Sequence, residues 1–360
     1  MKSLLSYFGG SLIFCAIAVI AAYFIGGPQA AVTVIFLTVL ETSLSFDNAI
    51  VNAGILNGWN EVWRRRFLLW GILIAVFGMR LAFPLLIVGV SGDVGPIRAI
   101  DLALHYPAEY SRILASAHHQ IAAFGGTFLM MVFFSFFVAR HKTEHWLQFI
   151  EKPLTRLGKM EAIEAALTLM ALVAAASLLD PALRNGFIEA GVWGVITFIL
   201  AKGVAALLGG DESGIAQHVV KQGIGGFLYL ELIDASFSFD GVIGAFAMTN
   251  NLFIIALGLG AGAMFVRSFT LQLVDHGTLT RFRYLEHGAF WAIGALAVLM
   301  LIGVGIHISE AVTGLLGAAL ITASLGSSIL ANRKKSGVSE RFDSGPRGSP
   351  GRRALSPAGS

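Results

Sequence analysis

The sequence predicts an all-α fold: a polytopic transmembrane helix bundle of about ten spans, built as an inverted-topology repeat of spans 1–5 and 6–10. Three observations predict it: a shortage of charge, a series of apolar stretches of membrane-crossing length, and one acidic motif that occurs twice. Only 13% of the 360 residues are charged, 56% are hydrophobic and 27 are Phe. Soluble chains carry about 25% charged residues, so a water-soluble globule could not clothe its surface with this set. The same composition excludes disorder, collagen and coiled coil.

A helix needs roughly 20 apolar residues to cross ~30 Å of hydrocarbon. Such stretches occupy 4–25, 29–57, 67–90, 119–139, 161–180, 187–208, 222–249, 252–274, 285–306 and 308–331. Three pairs of spans meet with almost no loop, at Gly27-Pro28, at Asn250-Asn251 and at His307. Each join holds a turn or breaker residue, and reading through one of them gives nine spans. The first stretch is too long for a signal-peptide core and lacks a small-residue cleavage site, so it reads as a retained helix.

Charge tests the cut. With ten spans, fifteen loop Lys and Arg fall on one side (among them Arg64, Arg65, Arg66, Lys152, Arg156 and Arg281) and only Arg98, Arg112 and Arg184 on the other. This asymmetry places both termini in the cytoplasm of a cell whose inner membrane the chain spans. Residues 336–360 are rich in Gly, Ser, Pro and Arg without periodicity, and read as a disordered cytoplasmic tail or in part a cloning remnant. The net charge of +3 follows from these segments and calls for no nucleic-acid partner; the lipid bilayer is the expected surroundings. One cysteine, Cys15, excludes an internal disulfide and thiolate metal cages. Oligomeric state is not legible.

Leu40-Glu41-Thr42-Ser43-Leu44-Ser45-Phe46-Asp47-Asn48 recurs as Ile233-Asp234-Ala235-Ser236-Phe237-Ser238-Phe239-Asp240-Gly241. Arg80 and Arg267 each lie one span later, and His118 with Gly125 is matched by His287 with Gly294. The first repeat is therefore 1–180 and the second 187–332. Five spans is an odd number, so the halves enter the membrane in opposite directions. Inverted repeats of this kind are common in secondary transporters, with the binding site near the midplane.

Glu41, Asp47, Glu231, Asp234 and Asp240 all fall inside predicted spans. A carboxylate at the bilayer centre costs at least ~2.5 kcal/mol and faces the protein interior or a wet cavity. Cations, protons, Arg80 and Arg267 are the available compensators. Glu41, Ser45 and Asn48 share a helix face, as do Glu231, Asp234 and Ser238. Asp47 and Asp240 lie about 120° away round an ideal helix. To bring both acids of a motif to one site, the helix must unwind or kink near Ser-Phe-Asp, or neighbouring helices must supply the partner ligands. The candidate metal ligands are Glu41, Asp47, Asn48, Asp234 and Asp240, with Ser45, Glu231 and Ser238 secondary and Arg80 and Arg267 balancing charge. An all-oxygen set suits Mg²⁺, Ca²⁺ or Mn²⁺, and protons could replace the departing ion and serve as the coupling ion. An intramembrane aspartyl protease would use Asp47 and Asp240 sharing a proton. It would also need Gly-x-Gly-Asp, which is absent, so the chain reads as a non-enzyme without a cofactor.

Glu41-x-x-Leu44-Ser45-x-Asp47-Asn48, the later Phe237-Ser238-Phe239-Asp240 and the mid-span arginines resemble the TerC family of integral membrane proteins, in its branch of long bacterial members. The resemblance covers roughly 30–300. It implies a lysine-exporter-like transporter of inverted-repeat architecture within a family named for tellurium resistance, several of whose members are implicated in manganese export. It also places that family's acidic positions on Glu41, Asp47, Asp234 and Asp240. Gly241 departs from the pattern, standing where many members have a small polar residue. The expected function is secondary transport of divalent cations through a midplane carboxylate site, with Mn²⁺ first and Ca²⁺ second, as export across the bacterial cytoplasmic membrane. The alternative is a non-transporting membrane scaffold of a metal or tellurium stress-resistance system.

Overall fold

A computed structural model of the chain describes residues 4–139, 144–208, 223–306 and 310–343. Among these residues the chain is all helical, with no strand. Among the described residues, seven helices are long and apolar enough to cross a membrane. Large apolar side chains such as Ile13, Phe24, Phe36, Leu207 and Leu315 are exposed on their outer faces. Exposed apolar area on this scale needs lipid rather than water around it, and the molecule is a multi-pass helical membrane bundle.

Seven is fewer than the ten spans expected, and each difference has a physical reason. The first two spans merge into one helical run, α1 (Leu4–Leu44), interrupted at Gly26 and Gly27. Gly27 takes φ 72° and ψ −164°, a conformation essentially reserved for glycine. The break reverses the chain. Before it, Tyr7 bonds Asp275 at 3.0 Å and Ser11 bonds Met264 at 2.9 Å and Ser268 at 2.7 Å. After it, Thr38 bonds the Gly258 carbonyl at 3.1 Å, and Phe46 packs on Phe269. Both arms of α1 therefore lie along α12 (Leu252–Asp275), in opposite directions, as the Gly27-Pro28 join predicts. The expected span 161–180 is a shorter helix, α9 (Ile163–Ala176), ended by the turn that precedes Pro181. The expected span 222–249 is α11 (Ile224–Met248), whose acids Glu231, Asp234 and Asp240 make it too charged for an ordinary apolar span.

The remaining elements follow in order. After α2 (Phe46–Asn57), α3 (Glu61–Leu73) runs without interruption into a π-helical stretch, Ile74–Ala82, and then α4 (Phe83–Ser91). The loop expected to hold an amphipathic segment over 97–116 forms two short helices, α5 (Gly95–His105) and α6 (Pro107–Ser116). Next come α7 (His118–Phe137), α8 (Gln148–Leu157), α9 and α10 (Pro181–Leu208). Beyond α12 lie α13 (Thr278–Arg281), α14 (Leu285–Gly303) and α15 (Glu310–Asp343). The tail expected from 336 is helical over 336–343, and 344–360 lie outside the described residues.

The core gathers on α7, which is apolar on every side and buried along most of its length. That is the pattern of a helix at the centre of a bundle. It crosses α14 through small residues: a Cβ on Gly126 would lie 3.0 Å from Leu301, and one on Gly294 would lie 2.5 Å from the Phe133 ring. Phe136 and Phe290 stack between the same helices at 3.7 Å. Lipid offers no hydrophobic drive between helices, so such close backbone approach is what holds them.

Candidate cation site

The acidic motifs meet on one side of this core, where α1 and α2 face α11, α12 and the π-helical stretch. Glu41, Ser45, Asp47, Asn48, Arg80, Glu231, Asp234 and Arg267 are all buried there. Ser238 and Asp240 lie on the α11 backbone, but their side chains are outside the described residues.

Ser45 is where the first motif departs from regular helix. Its φ of −96° and ψ of 19° end α1 and open α2. The bonds from Ser45 N to Glu41 O (3.0 Å) and from Ala49 N to Ser45 O (3.2 Å) persist, so the chain continues in the same direction past a local distortion. Asn48 N–H is drawn to Asp47 Oδ1 at 2.8 Å. The distortion lets Glu41 and Asp47 line one cavity of about 70 Å³ together with Ser43, Ser45, Gly241 and Thr313. That volume can hold several waters. The kink expected at Ser-Phe-Asp is thus present in the first motif. It is absent in the second: α11 is continuous through Ser238, Phe239 and Asp240. Neighbouring helices, not unwinding, bring groups to that half.

Each arginine reaches an acid. Arg80 Nη2 donates to Glu41 Oε1 at 2.5 Å, and Ser45 Oγ donates to the same oxygen at 3.3 Å. The π-helical stretch carries Arg80, and such turns aim a side chain off the regular helical register. Arg267 Nη2 donates to Glu231 Oε1 at 3.4 Å, and its Nη1 donates to the Phe67 carbonyl at 2.9 Å. The guanidinium also lies over the Phe67 ring, 4.4 Å from its centroid. Asn48 Nδ2 donates to Asp234 Oδ1 at 2.5 Å, which joins the two motifs directly. Glu41 and Glu231 each stand within electrostatic reach of Asp234.

Gly241, the departure from the TerC-like pattern, has a local reason. A Cβ there would lie 2.9 Å from Glu41 Oε2. The glycine gives up an oxygen of its own and leaves room for the Glu41 carboxylate of the first motif.

Among the described residues no three His, Cys, Asp or Glu side chains close on one point as a metal-ligand group. Glu41 and Glu231 are instead turned to arginines. The layer still holds four described carboxylates, Glu41, Asp47, Glu231 and Asp234, against two guanidiniums, a formal charge of −2.

Three features escaped the sequence reading. Asn52 is buried one turn after Asn48, and could have been found by extending the Glu41–Ser45–Asn48 face. The π-helical stretch left no signal in residue type. Glu151 is fully buried at the start of α8: it accepts from Trp146 N (3.0 Å), Leu147 N (3.1 Å) and Trp291 Nε1 (3.0 Å), with His145 and His287 each 3.6 Å away. His145, whose place in a basic loop predicts a solvated side chain, is enclosed there because the segment 144–147 lies against α14.

Residues 46–335 match the family described as "Protein of unknown function (DUF475)". No curated protein and no solved structure matches the chain. The match covers most of the chain, both α2 and the whole second motif included, and the protein belongs to the DUF475 family.

Proposed function

We propose that the protein is a secondary transporter of divalent cations, with Mn²⁺ as the first substrate to test and Ca²⁺ as the second. The observation that carries this reading is the formal charge of −2 in a buried, all-oxygen layer beside a cavity large enough for water. A purely structural network is best served by equal numbers of acids and arginines, because uncompensated buried charge is costly. Two surplus carboxylates match one divalent cation. Only oxygen donors are present, and these suit hard ions such as Mn²⁺, Ca²⁺ and Mg²⁺.

The resemblance of the motifs to the TerC family supports the same reading, and so does the swapped packing of α7 and α14. Under the relation that pairs His118 with His287, Gly126 and Leu301 fall within one residue of Gly294 and Phe133. Such a near-exchange is what two halves inserted in opposite directions, 1–180 and 187–332, would give. The basic loops favour cytoplasmic termini in a bacterial inner membrane, and export with protons as the counter-ion is the direction to test first.

The test is uptake of Mn²⁺, Ca²⁺ and Mg²⁺ into inverted vesicles holding the wild type, Asp47→Asn or Asp234→Asn. Saturable Mn²⁺ uptake that falls at least tenfold in both variants is expected. A scaffold would show no saturable flux of any cation, and that result sinks the transporter.

A further inference from the structure

Beyond the groups already placed, three buried oxygens stand out. Asn48 Oδ1, Asn52 Oδ1 and Glu231 Oε2 accept no hydrogen bond. Their residues are only 2%, 2% and 6% exposed, so no bulk water reaches them. An unsatisfied buried acceptor is costly, about 1–3 kcal/mol each.

The register of α2 against α11 sets the three within one helical turn. Helices α2 and α11 run antiparallel: Phe46 and Asp47 share a cavity with Phe237 and Gly241, Asn48 meets Asp234, and Ala53 and Leu56 pack with Leu230. Asn52 is one turn beyond Asn48, and Glu231 is one turn before Asp234, so the register sets Asn52 at the level of Glu231. The two remaining sides are closed. Arg267 from α12 holds the other Glu231 oxygen, and α3 covers the group so closely that a Cβ on Gly71 would overlap Glu231 and the Arg267 guanidinium.

We propose that Asn48, Asn52, Glu231 and Asp234 form an enclosed inner station for a dehydrated divalent cation, one helical turn away from the open cavity of Glu41, Ser45 and Asp47. The station rests on the transport reading and adds a ligand, Asn52, that lies outside both repeated motifs. A water molecule has two hydrogens and cannot serve three lone acceptors, whereas one cation of the Mn²⁺ or Ca²⁺ class can draw on all of them. Two amide oxygens beside two carboxylates also keep the station less negative than an all-acid cage. That moderates affinity, and a transported ion must be able to leave.

The experiment is Mn²⁺ binding to the full chain in detergent, followed by titration calorimetry, for the wild type, Asn52→Ala, Asn52→Asp and the control Asn57→Ala. Asn57 closes the exposed end of α2. We expect Asn52→Ala to weaken Kd roughly tenfold, as loss of one oxygen ligand does. Asn52→Asp should restore or tighten binding, and Asn57→Ala should match the wild type. Metal-free melting of each variant separates ligand loss from misfolding, and Asn52→Asp keeps the shape if Asn52→Ala does not fold. Wild-type binding with an unchanged Kd in Asn52→Ala overturns the station and leaves the transporter standing. Weakened binding in Asn52→Asp overturns the station as well. Absence of wild-type binding for Mn²⁺, Ca²⁺ and Mg²⁺ strikes the transport reading itself.

Discussion

The two acidic motifs share a sequence pattern but differ in backbone. The first is interrupted at Ser45, and its Glu41 and Asp47 come round to one cavity. The second runs straight through α11, and its Asp234 meets Asn48 of the first motif. Their arginine partners differ too. Arg80 holds the first acid of its motif, whereas Arg267 bypasses Asp234 and takes Glu231, one turn earlier. The lesson is that the two halves divide the work. The distorted half opens a chamber of about 70 Å³, and the regular half supplies a straight wall. A straight helix keeps its side chains in fixed register, while a broken one can re-aim them.

The contrast can be broken most severely at the arginines. Arg80→Leu leaves Glu41 buried without its closest cation and should cost about 3–5 kcal/mol. The readout is thermal unfolding in detergent, and adding Glu41→Gln to the same chain should recover most of the loss. Arg267→Leu should cost less, roughly 1.5–3 kcal/mol, because its carboxylate contact is longer and charged hydrogen bonds of that kind contribute in this range. A larger loss at Arg267 than at Arg80 would reverse the proposed division.

Gly241→Ala probes the point where the halves touch. It should destabilise by about 1 kcal/mol, since the added methyl crowds Glu41. Gly203→Ala, in open space on α10, should stabilise by up to about 1 kcal/mol through helix propensity. If both alanines stabilise alike, Glu41 does not lean on α11. The smallest effect sharpens the backbone contrast. Amide exchange at Phe46, Asp47 and Asn48 should run about tenfold faster than at Phe239, Asp240 and Gly241, because local opening begins where helical bonds are perturbed. Equal protection in the two segments would mean that Ser45 is no weak point.

Much of this was legible in the residues. Composition alone requires a membrane bundle, and breaker residues marked the reversal at Gly27. Periodicity placed Glu41, Ser45 and Asn48 together, and the break at Ser45 was expected because two acids six residues apart cannot share a face on a straight helix. What stayed hidden was decided by tertiary contact. Nothing in the motif tells Arg267 to choose Glu231 over Asp234; Phe67 does that, through its carbonyl and its ring. The π-helical stretch around Arg80 is a backbone adjustment that leaves residue types unchanged. Glu151 carried no signal because its cage comes from Trp146 and Trp291, which are 145 residues apart in the chain. The straightness of α11 also escaped, since a copied motif gives no reason for the copies to bend differently.

The reversal at Gly26 and Gly27 has a consequence for how the chain is made. Two apolar segments joined without a loop give the translocon no hydrophilic stretch on which to pause or sort. The first arm cannot settle in the bilayer as a lone anchor and then await the second. The pair must leave the ribosome and partition into lipid as a single hairpin. A strong sidedness signal, Arg64, Arg65 and Arg66, follows both arms. The hairpin is therefore complete before that basic loop, which touches none of the buried acids, is made.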